Sequence, residues 1–238
     1  VTPLDLDKDG RMDFVAVLAQ EHEAVVAYLN RGDFKFEQKV IYQAPHPNWG
    51  STGIQLVDLD RDGDLDVLLT HGDSFDDGII KPYHGIQWLE NRGAFPFVDH
   101  PLATMPGVHR ALAADIDGDG DNEIVVGADR VYAWHANGIE MVDGDDDAQT
   151  WGVISPLGSS FVSSVALARI DHEPGLDIVA ASRDSREVFV FNYQGDVLPG
   201  WPRLVENSLR AGMVVADLDG NGLFEIIAVD EKGVVYAW

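Results

Sequence analysis

The chain has 238 residues, of which 16 are Lys or Arg and 41 are Asp or Glu, so its formal net charge is −25. This acidic excess argues against binding to nucleic acid or to anionic lipid, because both need basic side chains to neutralise phosphates. The hydrophobic content of 45% is typical of a packed globular chain rather than of an acidic disordered segment. The sequence has no cysteine, which excludes disulfides, zinc-thiolate sites and cysteine nucleophiles. The longest apolar runs, such as 14–19, are too short to span a bilayer, so no membrane insertion is expected.

Acidic nine-residue segments recur along the chain. Each has Asp at its first and third positions, Asp or Asn at the fifth, Gly at the sixth and a carboxylate at the ninth; these acidic loops are 5–13 (loop 1), 58–66 (loop 2), 115–123 (loop 3) and 217–225 (loop 5). A degenerate copy lies at 169–177 (loop 4). The starts are 53, 57, 54 and 48 residues apart, which indicates five similar supersecondary units.

Short β-branched and aromatic runs flank each loop and predict strands. A first strand precedes the loop, as at 54–57 and 213–216, and a second strand follows it at 14–18, 67–70, 124–126, 178–180 and 226–229. Third strands are predicted at 25–29, 86–89, 131–134, 188–191 and 235–238, and fourth strands are clearest at 34–36 and 95–98.

Four strands per unit of about 50 residues predict an all-β fold, a five-bladed β-propeller of four-stranded blades. The predicted blades, within a single domain 1–238, are 1–53, 54–107, 108–157, 158–207 and 208–238. The last blade looks incomplete, because the sequence reaches only its third strand at Trp238. An open strand edge there predicts self-association by strand addition.

The turn after the third strand changes between the early and late units. The first two units use 30–32 and 91–93, both Asn-Arg-Gly followed by Phe-x-Phe, whereas later units use the longer turns 134–138 and 191–195. Natural drift explains this change, and so does a fusion of two propeller fragments; an engineered chain without a function beyond folding is therefore one alternative.

The chemistry of the loops points to calcium. Asp-x-Asp-x-Asp-Gly places three side-chain oxygens on alternate residues, and Gly allows the positive-φ bend that curls the chain around an ion. Hard oxygen donors select calcium or magnesium, and many flexible ligands favour calcium. An EF-hand is excluded because its twelfth-position Glu is replaced by Ala16, Leu69, Val126 and Ala228.

Four such loops in register with the strand pattern resemble the FG-GAP/VCBS-type repeats of integrin α-like propellers, over essentially the whole chain. The resemblance implies about four Ca²⁺ ions, each between the first and second strands of a blade. The implied ligands, the seventh residue of each set through its carbonyl, are Asp5, Asp7, Asp9, Arg11 and Asp13; Asp58, Asp60, Asp62, Asp64 and Asp66; Asp115, Asp117, Asp119, Asp121 and Glu123; and Asp217, Asp219, Asn221, Leu223 and Glu225.

Loop 4 departs from the pattern, with Arg169 in place of the first Asp and Pro174 in place of Gly. We predict no ion there. Our hypothesis is that the Arg169 guanidinium lies among Asp171, Glu173 and Asp177 as a built-in cation.

Calcium loops of this kind suit the millimolar calcium outside cells, so an extracellular, cell-surface or periplasmic location is expected, although no signal peptide precedes the first loop. The predicted function is a calcium-stabilised scaffold that binds a protein or carbohydrate ligand. The alternatives are a lectin or a lyase-like enzyme acting on polysaccharide, but no catalytic motif is present. An enzyme would need a face of converging polar side chains, for which the candidates are His46, Lys81, Tyr83, His84, His109 and Arg110.

Four further features favour ordinary structural roles. The tripeptide 31–33 reads Arg-Gly-Asp, but 92–93 repeats Arg-Gly at the same place, which indicates a hairpin turn rather than an adhesion motif. The acidic run 143–147 is expected to be solvated. The recurring aromatics are predicted to pack between blades; they are Tyr28, Trp88, Trp134, Phe191 and Trp238. Trp49, Trp151 and Trp201, in the connections, fit either packing or stacking on a sugar ring.

The long connection 71–84 contains two His and three Asp. Long loops on a rigid scaffold often carry specificity. A metal or acid/base site and a solvated loop are both consistent with this segment.

Overall fold

The computed structural model describes residues 2–73, 81–147, 150–157, 160–161 and 165–238. Within them the chain forms five antiparallel sheets and no helix, and spatial strand order follows the sequence. Sheet 1 contains β1 (Thr2–Leu4), β2 (Asp13–Leu18), β3 (Ala24–Asn30) and β4 (Phe36–Gln43). Sheet 2 contains β5 (Ser51–Val57), β6 (Asp66–His71), β7 (Gly85–Glu90) and β8 (Val98–Thr104).

The remaining sheets are shorter. Sheet 3 contains β9 (Ala111–Ala114), β10 (Glu123–Gly127) and β11 (Val131–His135). Sheet 4 contains β12 (Ala166–Ala168), β13 (Asp177–Ser182), β14 (Glu187–Phe191) and β15 (Arg203–Leu204). Sheet 5 contains β16 (Val214–Ala216), β17 (Glu225–Val229) and β18 (Val235–Ala237).

Five successive antiparallel sheets of three or four strands confirm the all-β prediction of five repeated units, as in a five-bladed propeller. The last sheet has three strands, as expected from the sequence. Sheet 3 also has only three, and its predicted fourth strand is represented in the described residues by the bridges Tyr132↔Val153 and Trp134↔Glu140. The second sheet begins at Ser51, three residues before the predicted blade boundary.

The chain divides into two compact units, Val1–Ala111 and Leu112–Trp238. In the first unit, one apolar cluster joins sheet 1, through Val15 and Ala27, to sheet 2, through Val67 and Leu69. The second unit contains two clusters, one between sheets 3 and 4 and one between sheets 4 and 5. Every sheet therefore packs a β-branched face against a neighbouring sheet of its own unit.

Two details of strand position differ from the sequence prediction. The fourth strands of sheets 1 and 2 begin at Phe36 and Val98, so most of each Phe-x-Phe segment lies before the strand, and the Phe34 side chain is 98% exposed. The recurring aromatics do not all share one register position. Tyr28 lies opposite the first residue after its loop, whereas Trp88 lies opposite the second, Leu68.

Each acidic loop connects the first two strands of its sheet, as predicted. The ninth loop residue is the first residue of the second strand in all five sheets. Among the described residues, no helix is long and apolar enough to cross a membrane.

Candidate metal centres

The ninth-position carboxylate closes every acidic loop by the same hydrogen bond. It accepts the backbone N–H of the loop's second residue, at N···O distances of 2.7–3.1 Å. The pairs are Leu6 to Asp13, Leu59 to Asp66, Ile116 to Glu123, Ile170 to Asp177 and Leu218 to Glu225. This carboxylate therefore has a structural role in all five loops, including the degenerate loop 4.

In three loops the second oxygen of the same carboxylate is also engaged. Asp13 Oδ1 accepts the backbone N–H of Asn30 at 2.7 Å, and Asp66 Oδ1 accepts that of Asn91 at 2.7 Å. In loop 3, Glu123 Oε1 lies 3.2 Å from His135 Nδ1. The ninth-position side chain thus ties the acidic loop to the residue that ends the third strand or follows it.

Most of the ninth-position carboxylates are buried, and for three of them the pKa is raised. Asp13, Asp66 and Glu123 are at most 1% exposed. Burial raises the pKa of Asp66, Glu123 and Asp177, and the hydrogen bonds that each carboxylate accepts partly oppose that rise. A nearby cation would favour the charged form of each group.

At the loop tip, side-chain oxygens accept backbone N–H groups two residues ahead. The fifth residue accepts from the seventh at 2.7–2.9 Å in loops 1, 2, 3 and 5. The sixth residue has φ between 84° and 97°, which glycine adopts without strain; these residues are Gly10, Gly63, Gly120 and Gly222. Successive turns of this kind wrap the loop so that its carboxylates converge.

The four well-formed loops each gather a group of side chains whose ligand atoms lie within 4.8 Å of one another. The groups are Asp5, Asp7 and Asp13; Asp58, Asp60 and Asp62; Asp115, Asp117 and Asp119; and Asp217, Asp219 and Glu225. Each donor set consists entirely of carboxylate oxygens, which suits a hard divalent cation. The structure therefore brings together three of the predicted carboxylates in each loop rather than the whole predicted set.

Loop 1 has cationic neighbours that the sequence analysis missed. Arg31 Nη1 lies 2.6 Å from Asp7 Oδ2 and 3.3 Å from Asp9 Oδ2, and Arg11 also pairs with Asp9. Arg31 belongs to the turn between β3 and β4 and is 22 to 24 residues from its partners. The Asn-Arg-Gly pattern predicted the turn, but it did not predict where the arginine side chain would point.

A lysine bridges loops 1 and 2. Lys8 Nζ lies 2.6 Å from Asp64 Oδ1 and 3.0 Å from the carbonyl oxygen of Gly63. Both partners belong to the tip of loop 2, whereas Lys8 is the fourth residue of loop 1. The two acidic loops of the first unit are therefore linked by a cation supplied by the chain itself.

The hypothesis of a built-in cation in loop 4 is wrong. In the described part of the chain, Arg169 forms no ion pair with Asp171, Glu173 or Asp177. The contact that this residue makes is through its backbone. Its carbonyl oxygen accepts the N–H of Phe224, in the neighbouring loop 5, at 3.1 Å. The built-in cation is found in loop 1.

Loop 3 has a further nitrogen donor. Asp117, Glu123 and His135 form a second group with ligand atoms within 4.8 Å of one another. The sequence analysis missed His135 because it lies at the end of β11, twelve residues beyond Glu123. The antiparallel register, in which Glu123 lies opposite His135, brings the two side chains together.

The tripeptide at 31–33 behaves as a turn. Lys35 N–H donates to the Gly32 carbonyl at 2.9 Å, and Asp33 has a φ of 51°. The arginine of the tripeptide is engaged with Asp7 and Glu37. These contacts agree with a hairpin turn.

The tryptophans of the connections lie in different surroundings. Trp49 stacks on His71 at 4.7 Å and on Tyr83 at 5.2 Å between ring centroids. Trp201 packs edge-on against Trp238, whereas Trp151 is 53% exposed. Packing therefore accounts for Trp49 and Trp201.

The long connection 71–84 is only partly covered, because 74–80, with Asp76 and Asp77, lie outside the described residues. Its two histidines, His71 and His84, are at most 3% exposed. Burial, with His84 close by, lowers the pKa of His71 to about 4. The histidine at the start of this connection is therefore neutral at pH 7.

Comparisons with known proteins give one family match and similar solved structures. The FG-GAP-like repeat family matches residues 5–69, which include loops 1 and 2. A search of curated proteins finds no match. Among solved structures, the crystal structure of BBS1N in complex with ARL6DN, soaked with lead, is similar at 14% identity and a TM-score of 0.50, covering 100% of this chain and 76% of that chain.

A Photorhabdus luminescens Tc holotoxin pore is also similar, at 19% identity and a TM-score of 0.42. The match covers 100% of this chain, which spans 11% of the toxin chain's length. The family match thus covers the first two acidic loops, and the five successive antiparallel sheets repeat the same strand order along the rest of the chain.

Proposed function

We propose that this chain is a calcium-stabilised β-propeller that serves as a binding scaffold, with Ca²⁺ in loops 1, 2, 3 and 5. The observation that supports this proposal most is the convergence of three carboxylates in each loop, with ligand atoms within 4.8 Å of one another. Carboxylates this close repel one another, and a divalent cation converts the repulsion into attraction. A cation that binds only the folded chain stabilises it.

The ligands divide into two classes. In loops 2 and 3 the carboxylates at the first, third and fifth positions would hold the ion directly, whereas in loops 1 and 5 the ninth-position carboxylate would join those at the first and third positions. In loop 2 the ninth-position carboxylate would mainly support the loop, since both oxygens of Asp66 already accept backbone N–H groups. Loop 1 would bind calcium most weakly, because Arg31 already pairs with Asp7 and Asp9.

A calcium-dependent scaffold is suited to an extracellular, cell-surface or periplasmic setting. Weak oxygen-donor sites fill at the millimolar calcium found outside cells and not at the calcium levels of the cytosol. We therefore propose that location for the folded chain.

Calorimetric titration of chelator-treated protein tests the proposal. We expect three stronger calcium sites and one weaker site, and weaker binding of magnesium. Asp117→Asn, at the third position of loop 3, should remove one of the stronger sites, while the matched control Asp171→Asn, at the third position of loop 4, should leave their number unchanged. Absence of calcium binding, or equal losses in the two variants, would contradict the proposal.

We also propose that the outer face of sheet 5 binds a second copy of this chain. In sheet 4, Ala166 and Val188 are buried against Met213 and Ile226 of sheet 5. At the same register positions in sheet 5, Val214 and Val235 are 58% and 65% exposed. A second copy packed on this face would cover Val214 and Val235 in the way that sheet 5 covers Ala166 and Val188. The exposed pair therefore supports association through the face of sheet 5 as well as through its open strand edge.

Sedimentation across a range of concentrations tests this association. We expect self-association that Val235→Asp abolishes and that Ile139→Asp, at another residue more than half exposed, does not. A monomer at every concentration would contradict it.

A further inference from the structure

A cleft of about 600 Å³ lies in the first unit, lined by residues of β4, β7 and β8 and of the connections beside them. Tyr42 lines it from β4, Gln87 from β7 and Asp99 from β8, with Trp49 and His71 also in its wall. The volume is within the usual range for a small-molecule site. None of the acidic-loop carboxylates lines this cleft.

The five repeats provide an internal comparison for one of these residues. Gln87 lies opposite the twelfth residue counted from the start of loop 2, Leu69. The residues at that position in the other sheets are Val26, Tyr132, Phe189 and Tyr236. Sheet 2 thus places an amide side chain, only 4% exposed, where the other sheets have an aliphatic or aromatic residue. Burying an amide is costly unless its hydrogen bonds are made, so this substitution needs a compensating role.

Gln87 connects three other side chains of the cleft. Trp49 Nε1 donates to Gln87 Oε1 at 3.2 Å. Gln87 Nε2 donates to Asp99 Oδ1 at 2.8 Å and to Tyr42 Oη at 3.4 Å. The buried amide therefore fixes a tyrosine hydroxyl and a carboxylate in the wall of the same cleft.

The Tyr42 hydroxyl and the Asp99 carboxylate each retain one hydrogen-bonding position for a ligand. The Tyr42 hydroxyl accepts from Gln87, and its proton has no acceptor in the described part of the chain. Asp99 Oδ1 is occupied, whereas Asp99 Oδ2 has no donor among the same residues. The cleft thus offers one donor and one acceptor, held side by side by the amide between them.

The composition of the wall restricts the ligand. Among the lining residues that the structure describes, there is no Lys or Arg and Asp99 is the charged residue, so an anionic ligand would be repelled. An aromatic cage for a quaternary ammonium needs open ring faces, but the faces of Trp49 stack on His71 and Tyr83. An adjacent donor and acceptor instead suit hydroxyl groups, because each hydroxyl both donates and accepts.

We propose that this cleft binds an uncharged saccharide, with Asp99 accepting from one sugar hydroxyl, Tyr42 donating to another, and Gln87 positioning both side chains. The proposal rests on the scaffold role proposed above but not on calcium. It gives that scaffold a ligand class and a site in the first unit.

Nuclear magnetic resonance titration tests the proposal through the indole N–H signal of Trp49. The probes are glucose, galactose, mannose, fucose, N-acetylglucosamine, cellobiose, maltose and lactose, with galacturonate and choline as charged comparisons. We expect at least one uncharged sugar to shift that signal with a Kd on the order of 1 mM. Asp99→Asn and Tyr42→Phe should each weaken binding about fivefold or more, and the matched control Asp33→Asn, at an exposed turn, should not.

Three outcomes would overturn the proposal. They are no shift with any uncharged sugar at about 50 mM, tighter binding of galacturonate or choline, and unchanged sugar affinity in both Asp99→Asn and Tyr42→Phe. Thermal melts of each variant establish that it is folded. Calcium titration of the same samples separates a failure of this site from a failure of the calcium sites.

Discussion

Arg31 Nη1 lies 2.6 Å from Asp7 Oδ2, so the turn between β3 and β4 contributes a cation to the acidic loop between β1 and β2. The same guanidinium lies 3.3 Å from Asp9 Oδ2. The chain itself therefore supplies part of the positive charge that balances the carboxylates of loop 1. Loop 3 contains no Lys or Arg in its own sequence. Loops 1 and 3 therefore differ in the positive charge that lies close to their carboxylates.

The first prediction follows from this ion pair. Arg31→Gln should strengthen calcium binding to loop 1 about fivefold, because it removes a positive charge beside the proposed ion. Calorimetric calcium titration measures the change. The matched control is Arg92→Gln, since Arg92 occupies the same turn in the next repeat but pairs with Glu90. An equal gain in both variants, or none in Arg31→Gln, would contradict the prediction.

The second prediction concerns the buried carboxylate that closes loop 2. Asp66→Ala should reduce the free energy of unfolding by about 3 kcal/mol in EDTA, because the N–H groups of Leu59 and Asn91 lose their acceptor. Urea unfolding measures the change. Asp62→Ala, at the exposed tip of the same loop, should cost less than about 1 kcal/mol. Similar losses in the two variants would show that the ninth-position carboxylate has no special structural role.

The third prediction uses two glycines at matching turns of sheets 3 and 4. Gly138 and Gly195 have φ of 83° and 86°. A Cβ on Gly195 would lie 1.8 Å from the carbonyl oxygen of Ile154, whereas a Cβ on Gly138 would meet nothing within 4 Å. Gly138→Ala should therefore cost about 1 kcal/mol from backbone strain alone, and Gly195→Ala at least about 2 kcal/mol more.

Urea unfolding of both glycine variants checks this difference. Because the two positions share φ, the difference isolates the steric contact with Ile154. Equal costs would show that the backbone accommodates the added methyl group at Gly195.

The fourth prediction concerns pH. Burial lowers the pKa of His71 to about 4, so the folded chain keeps this imidazole neutral at pH values where the unfolded chain protonates it. The unfolded state then binds more protons, and stability falls as pH decreases from about 6.5 to about 4, by roughly 3 kcal/mol in total. Below about 4 both states are protonated, and this contribution no longer changes.

The difference between wild type and a His71→Phe variant isolates that contribution. Unfolding free energies measured in EDTA at several pH values should show a shallower slope for His71→Phe between pH about 6.5 and about 4. An unchanged slope in His71→Phe would mean that His71 titrates alike in the folded and unfolded states.

Features set by local pattern were predictable from the sequence. Short β-branched and aromatic runs predicted the second and third strands of each sheet, and the regular loop spacing predicted the number of repeats. The loop pattern also placed the acidic residues between the first two strands, because the ninth residue begins the second strand in every sheet.

Features set by contacts between distant residues were not predictable. Arg31 reaches Asp7 across 24 residues, and Glu123 meets His135 through strand register. The expected ion pair of Arg169 is absent from the described contacts, although its sequence position suggested one. Gln87 gave no sequence signal by itself, because the repeat alignment that exposes it depends on the strand pairing.

The most direct test of the central claim is a thermal melt in millimolar calcium against the same protein in EDTA, with magnesium as the control. Three sites at calcium concentrations of about 100 times Kd would contribute roughly 8 kcal/mol, which for a chain of this length corresponds to a rise in Tm of roughly 15–30 °C. The account predicts a rise of that order with calcium and a much smaller one with magnesium. An unchanged Tm in calcium would contradict it.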